Sequence, residues 1–128
     1  MANILLIEPD RVLAAIYYEA LTNAGHQVMV ALGAQTAIMS ADKQLLDLII
    51  LELQLVEHSG IEFMYELRSY TEWQNIPLVV QTIIPPAEFN ESTGIMGEEL
   101  GVIQYLYKPS TSLKKLIETV SAQLAVLA

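Results

Sequence analysis

Short apolar runs alternate along the chain with longer segments in which apolar residues recur at helical spacing. The short runs are rich in Val, Ile and Leu. They predict five strands, at Asn3 to Ile7, His26 to Ala31, Leu48 to Leu51, Leu78 to Thr82 and Val102 to Leu106. The third and fourth runs are almost wholly apolar, which is typical of parallel strands covered by helices on both faces. The pattern therefore predicts an α/β fold around a parallel sheet.

The segments between these strands predict helices. The first runs from about Arg11 to Ala24, with Asp10 as its N-cap and Gly25 just beyond its end. Its apolar stripe is predicted at Val12, Ala15, Ile16, Ala20 and Leu21. The other helices are predicted at Gln35 to Lys43, Ile61 to Tyr70 and Ser112 to Leu127. In the stretch 83–101 the residues Pro85, Pro86, Asn90, Gly94 and Gly97 disfavour a helix, so a fourth helix there is expected to be short or mobile.

The length and order of these elements predict a single domain over residues 1–128. Right-handed crossovers leave few ways to connect five parallel strands. We expect a three-layer α/β/α, flavodoxin-like architecture with strand order 2-1-3-4-5.

Composition narrows the function classes. The chain is 53% hydrophobic and 16% charged, as expected of a folded domain, and none of its apolar stretches reaches the roughly 20 residues of a membrane span. No basic region precedes an apolar region at the start, so the cytoplasm is the expected location. There is no cysteine, and the net charge of −9 disfavours direct binding to nucleic acid.

Polar residues follow three of the predicted strands and end a fourth. Glu8-Pro9-Asp10 follows the first strand, Glu52 follows the third, Thr82 ends the fourth and Lys108-Pro109 follows the fifth. Because the carboxyl ends of parallel strands meet at one edge of the sheet, these side chains are expected to surround one crevice. Carboxylates, a hydroxyl and an ammonium there are typical of a site for a divalent cation and a phosphoryl group.

These motifs, in this order and spacing, resemble those of response-regulator receiver domains over essentially the whole chain. Residues 4–10 resemble the family's first strand and acidic pair, and residues 47–52 resemble the strand that ends in the phosphoacceptor. Gly60 stands where the family has the glycine that opens the third helix. The resemblance makes Thr82 and Tyr105 the switch pair, and Lys108-Pro109 the Lys-Pro motif, for which it implies a cis peptide bond.

Two positions depart from the family pattern. Glu52 stands where the family has its acceptor Asp, and Pro9 stands where the family has its second acidic residue. Magnesium needs near-ideal octahedral geometry, and these changes leave it only Glu52, a carbonyl near Gln54 and, indirectly, Glu8. We therefore predict a vestigial phosphoacceptor site at Glu8, Asp10, Glu52, Thr82 and Lys108, with no catalytic residue, no resident metal and at most weak Mg²⁺ binding.

The role of Glu52 has two interpretations. Its carboxylate could imitate a phosphoryl group by binding Lys108 and Thr82, or it could be an inherited polar residue held by Lys108 without any switching role. Asp10 also has two interpretations. It could substitute as a metal ligand, but its place just before a helix favours the role of N-cap. His26 and His58 have no second His or Cys at ligand spacing and are expected at the surface.

The favoured function is a non-enzymatic signalling module that binds a protein partner, such as a histidine kinase, without being phosphorylated. The face formed by the fourth helix, fifth strand and last helix is the predicted interface, and it could also form a homodimer. The alternatives are an active phosphoacceptor that uses Glu52 and Asp10, and a flavodoxin-like cofactor binder. The second alternative is disfavoured because Glu8-Pro9-Asp10 would repel a phosphate.

Overall fold

A computed structural model describes residues 2–56, 59–93 and 100–127. Strands and helices alternate along the chain. They are β1 (Asn3–Ile7), α1 (Arg11–Asn23), β2 (Gln27–Ala31), α2 (Ala34–Ala41), β3 (Leu48–Leu51), α3 (Gly60–Arg68), β4 (Leu78–Thr82), α4 (Pro86–Thr93), β5 (Val102–Tyr107) and α5 (Leu113–Leu127). Single turns of 3₁₀ helix lie at Thr71–Trp73 and Lys108–Ser110.

The five strands form one parallel sheet in the order β2-β1-β3-β4-β5. The predicted architecture is therefore confirmed. In the register of the sheet, Ile7 lies between Ala31 of β2 and Leu51 of β3. The residues that follow β1 and β3 consequently leave the sheet side by side, which brings Glu8 and Glu52 together at its carboxyl edge.

Two apolar cores cover the two faces of the sheet, because successive strand side chains point to opposite faces. In β1, Leu5 and Ile7 pack in a core with α2 and α3, while Ile4 and Leu6 pack in a second core with α1 and α5. All four residues of β3 are buried. This two-sided burial explains why the central strands lack the polar alternation of a sheet with one wet face.

Helix α1 has the predicted N-cap, but of the predicted apolar stripe only Leu21 is fully buried. Its buried residues are Ala14, Tyr17 and Leu21, whereas Val12 is 70% exposed and Ile16 is 42% exposed. Both sets of residues keep helical spacing, so periodicity alone could not show which stripe meets the sheet. Gly25 lies just beyond the helix with a φ of +98°, as expected of a glycine after a helix end.

The described part of the fourth helix runs from Pro86 to Thr93, and residues 94–99 lie outside the described ranges, so its predicted shortness stays a prediction. Pro86 begins α4, where its fixed φ suits a first helical residue and its missing N–H costs nothing. Gly94 and Gly97 lie outside the described residues. No helix in the described ranges is both long and apolar enough to span a bilayer.

The predicted cis bond between Lys108 and Pro109 is wrong, because the described residues contain no cis peptide bond. Lys108–Ser110 instead form a turn of 3₁₀ helix, and the N–H of Thr111 donates to the carbonyl of Lys108 at 3.1 Å. A trans proline fits such a turn because its fixed φ lies in the helical range and it needs no hydrogen-bond acceptor.

Gly60 opens α3 beneath the loop that follows β3. Its N–H donates to the carbonyl of Leu53 at 2.7 Å, and a Cβ on residue 60 would lie 2.6 Å from the Cα of Leu53. The backbone of Leu53 cannot move aside to make room for a Cβ, as the end of a flexible side chain could. A glycine is therefore required here for close approach of two backbone segments.

We predict that Gly60→Ala lowers the free energy of unfolding by about 1–3 kcal/mol, as overpacking does. The measurement is urea unfolding followed by circular dichroism. Gly33→Ser is the control, because Gly33 is the N-cap of α2, has an extended φ of −160° and has no atom within 4 Å of an added Cβ. Equal stability of Gly60→Ala and the wild type would contradict the close-approach account.

Candidate functional site

The side chains predicted to surround one crevice meet at the carboxyl edge of the sheet. Glu8, Glu52 and Thr82 are 2%, 4% and 0% exposed, although all three are polar. Lys108 lies at the end of β5, and its side chain is 11% exposed. Burial of this kind is costly unless every charged group is paired and hydrogen-bonded.

One ammonium joins the two carboxylates. The Nζ of Lys108 lies 2.6 Å from Oε1 of Glu8 and 2.7 Å from Oε1 of Glu52. The structure thus places Lys108 within hydrogen-bonding distance of Glu52, as expected, and adds a contact with Glu8 that the sequence did not predict. The sequence placed Glu8 and Lys108 in the same crevice, but it did not show which carboxylate the ammonium would reach.

The pKa of Lys108 reflects opposing effects. Burial lowers it, but the hydrogen bonds from the ammonium to Glu52 and Glu8, together with their negative charges, outweigh burial and leave the pKa above its ordinary value. The ammonium is therefore protonated throughout the neutral range. It neutralises only one of the two carboxylates, so the cluster keeps an excess negative charge.

Glu52 is hydrogen-bonded through both oxygens. Oε1 accepts from Lys108 and, at 3.4 Å, from the N–H of Ile83. Oε2 accepts from the hydroxyl of Thr82 and, at 3.1 Å, from the N–H of Gln54. The carboxylate thereby joins the ends of β3, β4 and β5, and none of its oxygens lacks a donor.

Asp10 acts as the N-cap of α1. Its Oδ1 accepts from the N–H groups of Val12 and Leu13 at 2.9 and 3.0 Å. Its own N–H donates to Oε2 of Glu8 at 3.1 Å. The capping role, rather than that of a substitute metal ligand, is what these contacts support.

The donors present do not fit a Mg²⁺ site. Asp10 caps a helix, Glu8 and Glu52 share the ammonium of Lys108, and Pro9 offers no side-chain oxygen. In the described ranges, no three or more His, Cys, Asp or Glu side chains are grouped so that they could hold a metal ion. To reach Glu8 and Glu52, a magnesium ion would have to displace the largely buried ammonium of Lys108.

Thr82 connects this cluster to the loop before α4. Its Oγ1 accepts from the N–H of Ile84 at 3.2 Å, and the carbonyl of Ile84 accepts from the hydroxyl of Tyr105 at 2.7 Å. The ring of Tyr105 packs against Phe89 with their centroids 5.0 Å apart. Burial first, and then the charges of Glu52 and Glu88, raise the pKa of Tyr105 to about 12, so its hydroxyl remains a donor.

Sequence reasoning missed a second polar contact, which joins Gln81 of β4 to Tyr17 of α1. Gln81 is 3% exposed and forms a side-chain hydrogen bond with Tyr17 of α1. The pKa of Tyr17 is raised mainly by burial. A glutamine directly after three apolar residues of a buried strand was the available signal, because a buried amide requires a partner.

Comparison with known proteins identifies a family that the chain matches over most of its length. A family model for the response regulator receiver domain matches residues 4–121. The KDP operon transcriptional regulatory protein KdpE of Escherichia coli is 33% identical over 109 residues, which are 85% of this chain and 45% of KdpE. The transcriptional regulatory protein CpxR of Klebsiella pneumoniae is 32% identical over 85% of this chain and 44% of its own length. The chain thus spans about half the length of these curated relatives.

Solved structures share the fold at lower identity. The chemotaxis response regulator CheY4 of Vibrio cholerae superposes with a TM-score of 0.83 at 23% identity, over 95% of this chain and 98% of CheY4. The receiver domain of the Francisella response regulator 1452 superposes with a TM-score of 0.84 at 21% identity, over the whole of both chains.

We predict that Lys108→Met destabilises the protein by about 3–5 kcal/mol, because it leaves two buried carboxylates without their shared cation. Adding Glu52→Gln to this variant should restore part of the loss. Urea unfolding of the wild type, both single variants and the double variant gives the coupling energy directly.

Lys114→Met is the matched control. Lys114 is 86% exposed and lies 3.8 Å from Glu118, so its loss should change stability by no more than about 0.5 kcal/mol. Additive effects of Lys108→Met and Glu52→Gln would show that the buried ion pair is not a stabilising unit.

Proposed function

The chain belongs to the family of response regulator receiver domains of two-component signalling, and we propose that it acts as a protein-interaction module that is not phosphorylated at its acceptor position. The observation that carries this proposal is the bridge from Lys108 to the buried pair Glu8 and Glu52. The bridge occupies the carboxylates that phosphoryl transfer and metal binding would require. The module is proposed to be non-enzymatic and to work without a divalent cation.

The acceptor position supports this proposal independently. A glutamate carboxylate lies about 1.3 Å further from the backbone than an aspartate carboxylate, and in-line transfer tolerates such misplacement poorly. Both oxygens of Glu52 are already hydrogen-bonded to neighbouring strand ends. A nucleophile held in this way would have to give up these bonds to attack a phosphodonor.

Glu52 is proposed to hold residues 82–84, at the end of β4, in one arrangement. It binds Thr82 and the N–H of Ile83, while Thr82 binds Ile84 and Ile84 binds Tyr105. A phosphoryl group would offer three acceptor oxygens, whereas the carboxylate of Glu52 offers two. These two oxygens accept from the hydroxyl of Thr82 and the ammonium of Lys108, the groups that resemble the family's switch residue and lysine. The carboxylate thus replaces part of a phosphoryl group in this account.

A protein is the proposed partner, either a histidine kinase or another signalling protein. The proposed contact face consists of α4, β5 and α5, which could also join two copies of the chain. Leu113 at the start of α5 is 41% exposed there, and the side chains of β5 are mostly only half-buried. The net charge of −9 disfavours direct contact with nucleic acid. The cytoplasm remains the proposed location.

We predict that the wild-type protein gains no phosphoryl group when it is incubated with acetyl phosphate and Mg²⁺. Intact-mass spectrometry is the measurement. A hydroxylamine-labile adduct on the wild type would show that the acceptor position is active and that the proposal is wrong.

The matched variant is the double substitution Pro9→Asp and Glu52→Asp, which supplies the two carboxylates that the family pattern requires. This variant should gain the adduct, because it restores a metal ligand and shortens the acceptor. Absence of the adduct in this variant as well would mean that positions 9 and 52 do not account for the loss of phosphorylation.

A further inference from the structure

A cleft of about 740 Å³ lies at the amino ends of the strands. Glu52 lies at the other end of the strands, at the carboxyl edge of the sheet. The lining of the cleft includes Ala2, His26, Asp47 and Ile76, which lead into four of the strands, and Leu124 of α5. The volume is in the range of small-molecule sites, roughly 300–1,000 Å³. Nothing in the proposed function uses this end of the molecule.

His26 supplies an unsatisfied polar group beside the cleft. The prediction of a surface histidine is wrong: the residue is half-buried, both ring nitrogens are buried, and neither has a hydrogen-bond partner. A neutral imidazole has one donor and one acceptor, and leaving both unpaired and buried costs free energy. Burial also lowers the pKa of His26, which favours the neutral ring. His26 is itself one of the residues that line the cleft.

The charged side chains that line the cleft in the described part of the chain are negative. Asp47 and Glu72 are exposed carboxylates in its lining, and none of the described residues that line it is Lys or Arg. One oxygen of Asp47 accepts from the N–H of Asn3 at 2.8 Å. Neutral His26 can accept a further hydrogen bond. These groups favour a cationic hydrogen-bond donor over an anion.

The remaining lining is apolar, and one rim of the cleft is held in place. Leu46, Ile76 and Leu124 offer surface for an apolar body. Arg68 donates to the carbonyls of Trp73, Ile76 and Leu100 at 2.7–2.8 Å, which fixes the segment that leads into β4. A rim held by three charge-assisted hydrogen bonds needs little ordering when a ligand binds.

We propose that this cleft binds a small organic cation, an ammonium carried on an apolar ring or chain. The ammonium lies between Asp47 and Glu72 and donates to His26, and the apolar body lies against Leu46, Ile76 and Leu124. The ligand is a free small molecule, because the site is a cleft of small-molecule volume rather than an extended surface. This inference does not depend on the state of the acceptor position.

The test uses 2-phenylethylammonium as the probe, with 2-phenylethanol and 3-phenylpropionate as its neutral and anionic analogues. Amide chemical shifts are followed during titration of the full chain at constant ionic strength. The ammonium should shift the amides around residues 26, 47, 72 and 124 saturably. The alcohol should bind more weakly and the carboxylate should not bind. Equal binding of all three compounds, or shifts confined to other parts of the chain, would overturn the proposal.

Two substitutions distinguish a local contact with Glu72 from attraction by the overall negative charge of the protein. Glu72→Gln should weaken binding of the ammonium about two- to fivefold, as expected for an exposed ion pair. Glu66→Gln is the matched control, because Glu66 is an exposed carboxylate on α3 and does not line the cleft. It should leave the affinity unchanged, and an equal loss in both variants would mean that only the overall charge attracts the probe.

His26→Leu separates a ligand contact from a structural role. The substitution removes two unpaired nitrogens, so the free protein should unfold at an equal or higher urea concentration while its affinity for the ammonium falls. Undiminished affinity in this variant, with Glu72→Gln also without effect, would rule out the proposed cation site.

Discussion

The organisation of the carboxyl edge depends on one buried ammonium shared by two carboxylates. Lys108 contacts Glu8 at 2.6 Å and Glu52 at 2.7 Å, and the three side chains come from the ends of three different strands. Without the ammonium, two negative charges would face each other with little water to screen them. The same contact joins three strand ends at the sheet edge, and in the proposed account it occupies the carboxylates that a metal or a phosphoryl group would need.

The fold brings these groups together through ordinary packing. Parallel pairing sets the ends of β1 and β3 side by side, and the apolar cores on both faces hold the strands in register. Glu52 then extends the effect of the cluster through Thr82 and Ile84 to the hydroxyl of Tyr105. A single set of charges thus fixes both the centre of the site and the loop that leads to α4.

Sequence reasoning predicted the sheet, its strand order and the crevice residues, because strand periodicity and parallel topology determine which side chains share an edge. It also predicted the N-cap at Asp10, which depends only on local backbone geometry. It failed where several local solutions were equivalent: the buried stripe of α1 and the trans bond before Pro109. It did not predict the Glu8–Lys108 contact or the burial of the His26 nitrogens, because both depend on tertiary packing.

The central claim is that Lys108 takes the place of a divalent cation between Glu8 and Glu52. Amide chemical shifts during a Mg²⁺ titration, with NaCl at matched ionic strength as the reference, test this claim most directly. The account predicts no saturable change at residues 8, 10, 52–54 and 108 beyond the effect of NaCl. Saturable Mg²⁺-specific shifts at these residues would show that the ammonium yields to the metal, and would contradict the claim.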